Sequence, residues 1–222
     1  MDPHVFKAVI FDLDQTLVYT LERFYKVFNI TLKKFGGCYV EWDVFLKHYS
    51  DDSLNFLIPP SCDRETFWRV FLKSYCDVNC SSDSLIPGVE AVLSCLKFHG
   101  FKIAVVTGRG VSVKRVWEEL KFFGISSYVD YVATCESTLN GKLFSKSEIL
   151  LEVFSFLNVN ASQCIVVGDY WADVRSGRSV GAGLVVGVLT GLMDPNVLKE
   201  NGADIILNSV ADLPLLLKLN CG

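Results

Sequence analysis

The chain contains 222 residues, 50% of them hydrophobic and 21% charged, with a formal net charge of -4. This composition is typical of a globular protein that buries a substantial core. The negative charge gives no electrostatic basis for binding nucleic acid or an anionic membrane surface, so we expect neither as a partner.

The first predicted strand, at residues 5–11, ends in two carboxylates. Its apolar run at 8–11 is typical of a parallel strand that is buried on both faces, and Asp12 and Asp14 follow directly. Ligand sites of α/β sheets lie beyond the carboxyl ends of the strands, so an enzyme would place a nucleophile here. The same two acids would also suit a solvated loop that caps the next helix.

Residues 17–86 carry helix-like patterns and no predicted strand. The patterns lie near 19–35, 41–56 and 63–78. This part of the chain is rich in Phe, Tyr and Trp, and their helical spacing favours packing between helices over substrate recognition. Arg23 and Lys26 also lie here, and we expect both side chains to be exposed rather than to bind a ligand.

From residue 87 onwards, predicted helices and strands alternate. The strands lie near 102–107, 130–134, 163–168, 183–188 and 204–207. The helices lie near 89–99, 112–122, 147–158 and 172–181. This alternation predicts an α/β fold with a parallel sheet flanked by helices on both faces. Asp194-Pro195 further predicts a capped short helix before the last strand.

The strand at 102–107 ends in a hydroxyl and is followed by glycine. The hydroxyl of Thr107 and the backbone N–H of Gly108, just before a helix, can donate hydrogen bonds to a phosphate without steric obstruction. An ordinary turn between a strand and a helix would contain the same residue types.

The strand at 163–168 leads into two further acids, Asp169 and Asp173. Residues four apart are neighbours on a helix, so these carboxylates can converge, and hard oxygen ligands suit Mg²⁺. Asp173 could instead serve only as a favourable acid in the first turn of a helix.

A lysine precedes the helix predicted at 147–158. A cation at this place is unfavourable for the helix unless it serves another partner, so Lys146 is a candidate for a contact outside the helix. Lys142 is the alternative, but it follows Asn140-Gly141 and is more typical of an exposed turn.

Taken in order, these segments resemble the haloacid dehalogenase superfamily, and in particular its phosphoglycolate phosphatase-like members with a helical cap. The shared motifs are Asp-x-Asp-x-Thr, a strand-terminal Thr, a Lys, and Gly-Asp-x-x-x-Asp. The resemblance covers about residues 7–212 and implies a Rossmann-like core domain at 1–16 and 87–222. It also implies a small α-helical cap domain at 17–86, inserted after the first strand.

The resemblance implies a role for each motif residue. Asp12 would be the nucleophile and Asp14 the general acid and base. Phosphate would be held by Thr107, Gly108 and Lys146. Mg²⁺ would be held by Asp12, Asp14, Asp169 and Asp173, with Asp14 contributing its backbone carbonyl. Many family members have a proline after the lysine, whereas Ser147 follows Lys146 here.

The resemblance thus implies a Mg²⁺-dependent phosphatase that hydrolyses small phosphomonoesters, phosphoglycolate-like or sugar phosphates, through an aspartyl phosphate. An acid at position 14 is absent from the dehalogenase branch and from P-type ATPases, which favours phosphatases and phosphomutases. A phosphomutase of the β-phosphoglucomutase type and a non-catalytic protein that binds a phosphorylated metabolite remain alternatives. The expected partner is a small phosphorylated metabolite.

Eight cysteines in a chain of this length do not predict a disulfide scaffold. Cys95, Cys135 and Cys164 lie on apolar segments, where we expect small core residues. Cys76 and Cys80 lack the second ligand pair of a structural zinc site, and a disulfide between them stays open. Neither a secretory signal nor a membrane-spanning pattern is visible, so we expect a cytoplasmic protein.

Overall fold

The computed structural model of the protein describes residues 5–75, 78, 80–135 and 145–221. The strands are Ala8–Phe11 (β1), Val18–Tyr19 (β2), Ser84–Leu85 (β3), Lys102–Thr107 (β4), Tyr131–Thr134 (β5), Cys164–Gly168 (β6), Leu184–Val188 (β7) and Ile205–Leu207 (β8). The α-helices are Leu21–Lys34 (α1), Trp42–Ser50 (α2), Arg64–Ser74 (α3), Val89–Phe98 (α4), Val113–Phe122 (α5), Ser147–Phe156 (α6), Trp171–Ser179 (α7), Pro195–Glu200 (α8) and Leu213–Leu216 (α9). Short 3-10 turns occupy Leu54–Leu57, Ser126–Tyr128, Ala161–Gln163, Leu189–Gly191 and Val210–Asp212.

Six of these strands form one parallel sheet in the order β5-β4-β1-β6-β7-β8. All six correspond to predicted strands, so the predicted α/β sheet is confirmed. Strand β1 lies between β4 and β6, where the strand order reverses relative to the sequence. Such a switch point is where open α/β sheets bind their ligands.

The core lies on both faces of this sheet. Alternate residues of a strand point to opposite faces, and β1 shows this, because Val9 and Phe11 belong to one cluster while Ala8 and Ile10 belong to the other. The first cluster includes residues of α4, α5 and α9, and the second includes residues of α6, α7 and α8. Both faces are therefore covered, as a parallel sheet requires.

Helices α1, α2 and α3 pack together through aromatic side chains. In α1, the buried residues Val27, Phe28 and Leu32 recur at helical spacing. Phe28 contacts Phe67 of α3 with a ring centroid separation of 5.5 Å, and it lies 5.8 Å from Phe45 of α2. The packing predicted for the aromatic residues of this segment is thus confirmed for these three rings.

Two short strands connect this helical segment to the rest of the chain, and they were not expected from the sequence. Strands β2 and β3 pair antiparallel, with Val18 opposite Leu85. Two-residue strands are too short to show the alternation from which strands are predicted. The division into a core domain at 1–16 and 87–222 and a cap at 17–86 stays a prediction.

The predicted cap of the short helix α8 is confirmed. Asp194 accepts a hydrogen bond from the backbone N–H of Asn196, and Pro195 occupies the first helical position. Among the described residues, we find no helix that combines the length and the apolar character needed to span a membrane.

Cys95 is buried in the core, as expected, but it also forms a disulfide with Cys221, which was not predicted. The bond ties α4 to the segment that follows α9, across a sequence separation of 126 residues. Cys164 is a buried free thiol and Cys80 is also free, while Cys135 is half-buried. Its suggested partner Cys76 lies outside the described residues.

We predict that the disulfide contributes measurably to stability. A cross-link that closes a long loop restricts the unfolded chain, which typically stabilises a protein by roughly 2–4 kcal/mol. Addition of a reductant should lower the midpoint temperature of thermal unfolding of the wild type to the midpoint temperature of Cys221→Ser. Cys38→Ser, which removes an exposed free thiol, serves as the control. A reductant effect of the same size on Cys221→Ser would contradict the prediction.

Candidate active site

The carboxyl ends of β1, β4 and β6 place the predicted site residues side by side. Phe11, the last residue of β1, pairs with Val105 of β4 on one side and with Val167 of β6 on the other. The backbone N–H of Asp12 donates to the Val167 carbonyl at 2.9 Å. Asp12 and Asp169 are therefore fixed by the sheet itself, since each directly follows a strand end.

Three acids form a buried cluster at this edge. Asp12, Asp169 and Asp173 each offer one carboxylate oxygen, and these oxygens lie within 4.8 Å of one another. The hydroxyl of Thr16 donates to Asp169 Oδ1 at 3.1 Å, and the N–H of Tyr170 donates to Asp173 Oδ2 at 3.2 Å. The predicted convergence of Asp169 and Asp173 is thus present in the structure.

Two glycines allow the backbone to approach these acids closely. A Cβ atom at Gly191 would lie 1.9 Å from Asp169 Oδ2, and one at Gly168 would lie 2.3 Å from the Cβ of Asp173. Both distances are far below van der Waals contact. Any side chain at either position would displace a carboxylate of the cluster.

Among the residues that the structure describes, Lys146 is the cation that contacts this cluster. Its Nζ forms ion pairs with Asp12 Oδ1 and, at 2.5 Å, with Asp173 Oδ1. Its backbone N–H donates to Ser176 Oγ at 3.0 Å, which fixes the start of α6 against α7. The structure therefore brings Lys146 into the site, whereas the alternative, Lys142, lies outside the described residues.

Burial and neighbouring charge shift the pKa values of these groups. Burial raises the pKa of Asp12 to about 7, with the charges of Asp173 and Asp14 adding to the shift and Lys146 opposing it. Burial, together with the charges of Asp12 and Asp173, also raises the pKa of Asp169. For Lys146, burial lowers the pKa, but the adjoining carboxylates outweigh it and raise the pKa above its usual value.

Asp14 is held by a different cation, Arg109. The Arg109 Nε donates to Asp14 Oδ2 at 2.8 Å and its Nη2 donates to Oδ1 at 2.6 Å, which is a two-point contact. The hydroxyls of Thr20 and Tyr75 also approach Oδ1, at 2.6 and 3.3 Å. Although burial opposes ionisation, Arg109 lowers the pKa of Asp14 to about 2.

Arg109 also belongs to a longer chain of ion pairs. It contacts Glu119 of α5, and Arg23 Nη2 of α1 contacts the same carboxylate at 3.1 Å and Asp83 at 2.5 Å. The expectation that Arg23 is exposed is wrong, since it is only 5% exposed and ion-paired. Arg109 was not among the predicted site residues, although it directly follows the Thr107-Gly108 pair at a strand end, because Asp14 lies 95 residues away in the sequence.

The two remaining predicted residues, Thr107 and Gly108, differ in their access to the site. Gly108 lines the cavity in front of Asp12. Thr107 is fully buried, does not line that cavity, and its hydroxyl oxygen accepts a hydrogen bond from the Arg109 N–H at 3.2 Å. A contact between Thr107 and phosphate stays a prediction.

A cavity of about 400 Å³ lies between this edge of the sheet and the helices α1 to α3. Its polar end carries Asp12, Asp14, Lys146, Asp169 and Asp173. Tyr170 of the sheet side also lines it, and its hydroxyl donates to Asp52, beyond α2, at 2.6 Å. The helical segment therefore contacts the sheet side directly beside the acids.

Comparison with known proteins agrees with the motifs. A family model of haloacid dehalogenase-like hydrolases matches residues 9–186. A phosphoglycolate phosphatase (plasmid) of Cupriavidus necator is 28% identical over 220 residues, covering 95% of this chain and 92% of that protein. A pyrophosphatase PpaX of Listeria innocua is 26% identical over 218 residues, covering 93% of this chain and 94% of that protein.

A solved structure supports the same assignment. The crystal structure of a predicted phosphatase from Clostridium acetobutylicum shares 27% identity and a TM-score of 0.76, covering 96% of this chain and 99% of that chain. The family model spans well over half of the sequence, and the expected resemblance is confirmed. The chain belongs to the haloacid dehalogenase-like hydrolase family.

Proposed function

We propose that the protein is a Mg²⁺-dependent phosphatase that hydrolyses small phosphomonoesters through an aspartyl phosphate on Asp12. The observation that carries this proposal is the placement of Asp12 in a cavity, in contact with Lys146 and beside a second acid, Asp14. Relatives over nearly the whole length are named phosphoglycolate phosphatase and pyrophosphatase, both of which are enzymes that cleave a bond to phosphate.

The acid cluster fits a divalent cation. Three buried carboxylates, Asp12, Asp169 and Asp173, converge on one point, and Lys146 supplies one positive charge against them. Oxygen donors of this kind are the ligands that Mg²⁺ prefers. These three acids, with the backbone carbonyl of Asp14, would hold the ion. When bound, Mg²⁺ would neutralise charge on the substrate phosphate.

The residues of the chain divide the reaction into two steps. In the first, a carboxylate oxygen of Asp12 forms a bond to phosphorus while the bond to the leaving oxygen breaks, and Asp14 gives that oxygen a proton. In the second, Asp14 takes a proton from water, whose oxygen attacks phosphorus and breaks the bond to Asp12. Two displacements of this kind are each easier than a single direct one.

The contact with Arg109 affects the protonation state of Asp14, which must donate a proton in the first step and accept one in the second. With a pKa of about 2, Asp14 is ionised at neutral pH, which suits the base that accepts a proton from water. For the first step it must acquire a proton, so we propose that its contact with Arg109 loosens when substrate is bound.

Charge on the transferred phosphoryl group would be stabilised by Lys146 and the N–H of Gly108, with Thr107 supporting the same turn. Both Lys146 and Gly108 line the cavity. We propose that residues 17–86 act as a cap over the core at 1–16 and 87–222, and that they exclude bulk water during the reaction.

We expect Asp12→Asn to abolish phosphate release. The amide cannot act as the nucleophile, so kcat should fall by at least about a thousandfold, as is usual for loss of a nucleophile. Phosphate release is measured on a panel of small phosphomonoesters with and without Mg²⁺. Asp43→Asn, at an exposed acid of α2, should retain activity. Phosphoryl transfer to a sugar without phosphate release would instead identify a phosphomutase.

We expect Asp14→Asn to slow turnover by about a hundredfold to ten-thousandfold, the usual contribution of general acid and base catalysis. Loss of the base should slow the hydrolysis of the aspartyl phosphate. When the substrate carries a label in its phosphate, acid quenching of the reaction should therefore trap labelled protein. The label should be absent from the double variant Asp12→Asn/Asp14→Asn. Full turnover by Asp14→Asn would contradict the assigned role.

We expect Mg²⁺ to stabilise the folded protein, because it binds a cluster of like charges that exists only after folding. At a hundred times its Kd, a ligand adds about 2.7 kcal/mol to the free energy of unfolding. Thermal unfolding should therefore move to higher temperature with Mg²⁺ in the wild type and in Asp43→Asn, and not in Asp169→Asn. An equal shift in Asp169→Asn would place the ion elsewhere.

A further inference from the structure

The cavity that leads to Asp12 is bordered on its helical side by five aromatic residues. They are Phe24, Tyr49, Trp68, Phe71 and Tyr75, here called the aromatic wall. The Phe24 ring lies at the centre of the group, with its centroid 4.5 Å from that of Phe71 and 5.2 Å from that of Tyr49. The wall belongs to the same cavity as the catalytic acids.

Other aromatic residues of the same helices do not line the cavity. Phe28, Phe45 and Phe67 are fully buried and fill the interior of the helical segment. The packing role expected from the sequence accounts for these three completely. Packing does not account for the aromatic wall in the same way, because these residues also border the space in which the leaving group must lie.

The helical side of the cavity offers little positive charge. Among the described residues that line the cavity, the cations are Arg64, Arg109 and Lys146. Arg109 and Lys146 are both engaged by the carboxylates described above. Arg64 is exposed, and the acids Asp52 and Glu65 line the cavity as well. A second anionic group on a substrate would therefore meet one cation, and solvent screens it.

The size of the cavity also argues against the smallest substrates. Its volume of about 400 Å³ lies within the range, roughly 300–1,000 Å³, of sites that hold drug-sized ligands with an apolar lining. With their phosphate beside Asp12, phosphoglycolate and pyrophosphate would place charge, not apolar surface, towards the aromatic wall. Water would then remain against apolar rings, which is unfavourable.

We propose, building on the proposed phosphatase function, that the substrate is a phosphomonoester whose alcohol part carries a flat aromatic ring and no second anionic group. The ring packs against the aromatic wall while the phosphate reaches Asp12. Ring contacts in offset or edge-to-face geometry favour a planar aromatic group over a saturated ring of equal size. Binding energy from this remote part of the substrate holds the phosphate in position for attack.

Matched substrates test this proposal. Benzyl phosphate and cyclohexylmethyl phosphate differ in the planarity of the ring, while ethyl phosphate lacks a ring. We expect kcat/KM for benzyl phosphate to exceed that for cyclohexylmethyl phosphate by about threefold or more. It should exceed the values for 2-phosphoglycolate and pyrophosphate by about tenfold or more. Calorimetric binding of the same compounds to Asp12→Asn should give the same ranking without turnover.

Variants of Trp68 show whether the preference comes from the aromatic wall. Trp68→Leu should lower the ratio of kcat/KM for benzyl phosphate to that for ethyl phosphate by about tenfold. Trp68→Phe loses the hydrogen bond from the indole to Asn55 Oδ1, 2.8 Å long, but keeps a ring, and should largely retain the ratio. Phe56→Leu, at an 80% exposed position outside the cavity, should leave the ratio unchanged.

The outcomes separate this inference from the phosphatase proposal. A kcat/KM for 2-phosphoglycolate or pyrophosphate that exceeds that for benzyl phosphate, and that Arg64→Met lowers, would overturn the proposal of an aromatic substrate. It would leave the proposed phosphatase function intact. Equal kcat/KM values for benzyl and cyclohexylmethyl phosphate would also overturn the aromatic substrate, if Trp68→Leu leaves the ratio of kcat/KM for benzyl phosphate to that for ethyl phosphate unchanged. Absence of hydrolysis of all five compounds in the presence of Mg²⁺ would overturn both.

Discussion

The burial of three like charges at one edge of the sheet is the constraint on which the site depends. Asp12, Asp169 and Asp173 lie away from water, where an isolated carboxylate is strongly unfavourable. The structure offsets this with Lys146, with donors from Thr16 and the backbone, and with glycines that let the chain come close. The strand ends and turns thus hold together groups that would separate in solution, and three converging carboxylates of this kind can hold a cation.

Arg109 also pairs with carboxylates, and its contacts reach from the sheet to the helical segment. Its fork holds Asp14, and Glu119 links it to Arg23 of α1, so that one chain of buried ion pairs reaches from the acid of the site into the helices. Removing one member of such a pair costs about 3–5 kcal/mol, because its partner is left buried and unpaired. The environment of Asp14 is therefore linked to α1 through Arg109, Glu119 and Arg23.

The sequence was sufficient for the sheet and for the acid cluster, because the strands are apolar runs and because Asp12 and Asp169 directly follow two of them, β1 and β6. It was insufficient for the ion pairs of Arg109 and Arg23, because their partners are 95 and 60 residues away and no local pattern encodes them. The same reason applies to the disulfide between Cys95 and Cys221. Strands β2 and β3 were not predicted, because two residues are too few to show the alternation of apolar and polar residues that is typical of a strand. Lys146 was predictable because a lysine at a helix start is locally unfavourable and so indicates a partner elsewhere.

Two of the four tryptophans, Trp68 and Trp171, border the cavity, one from the helical side and one from the sheet side. Indole emission depends on the polarity and contacts of its surroundings. Occupation of the space between these residues replaces water next to them, so the intrinsic fluorescence of the unlabelled protein carries a signal for occupancy. Compounds that bind without reacting thus become as visible as substrates, and the cavity can be titrated optically before any reaction has been assigned to it.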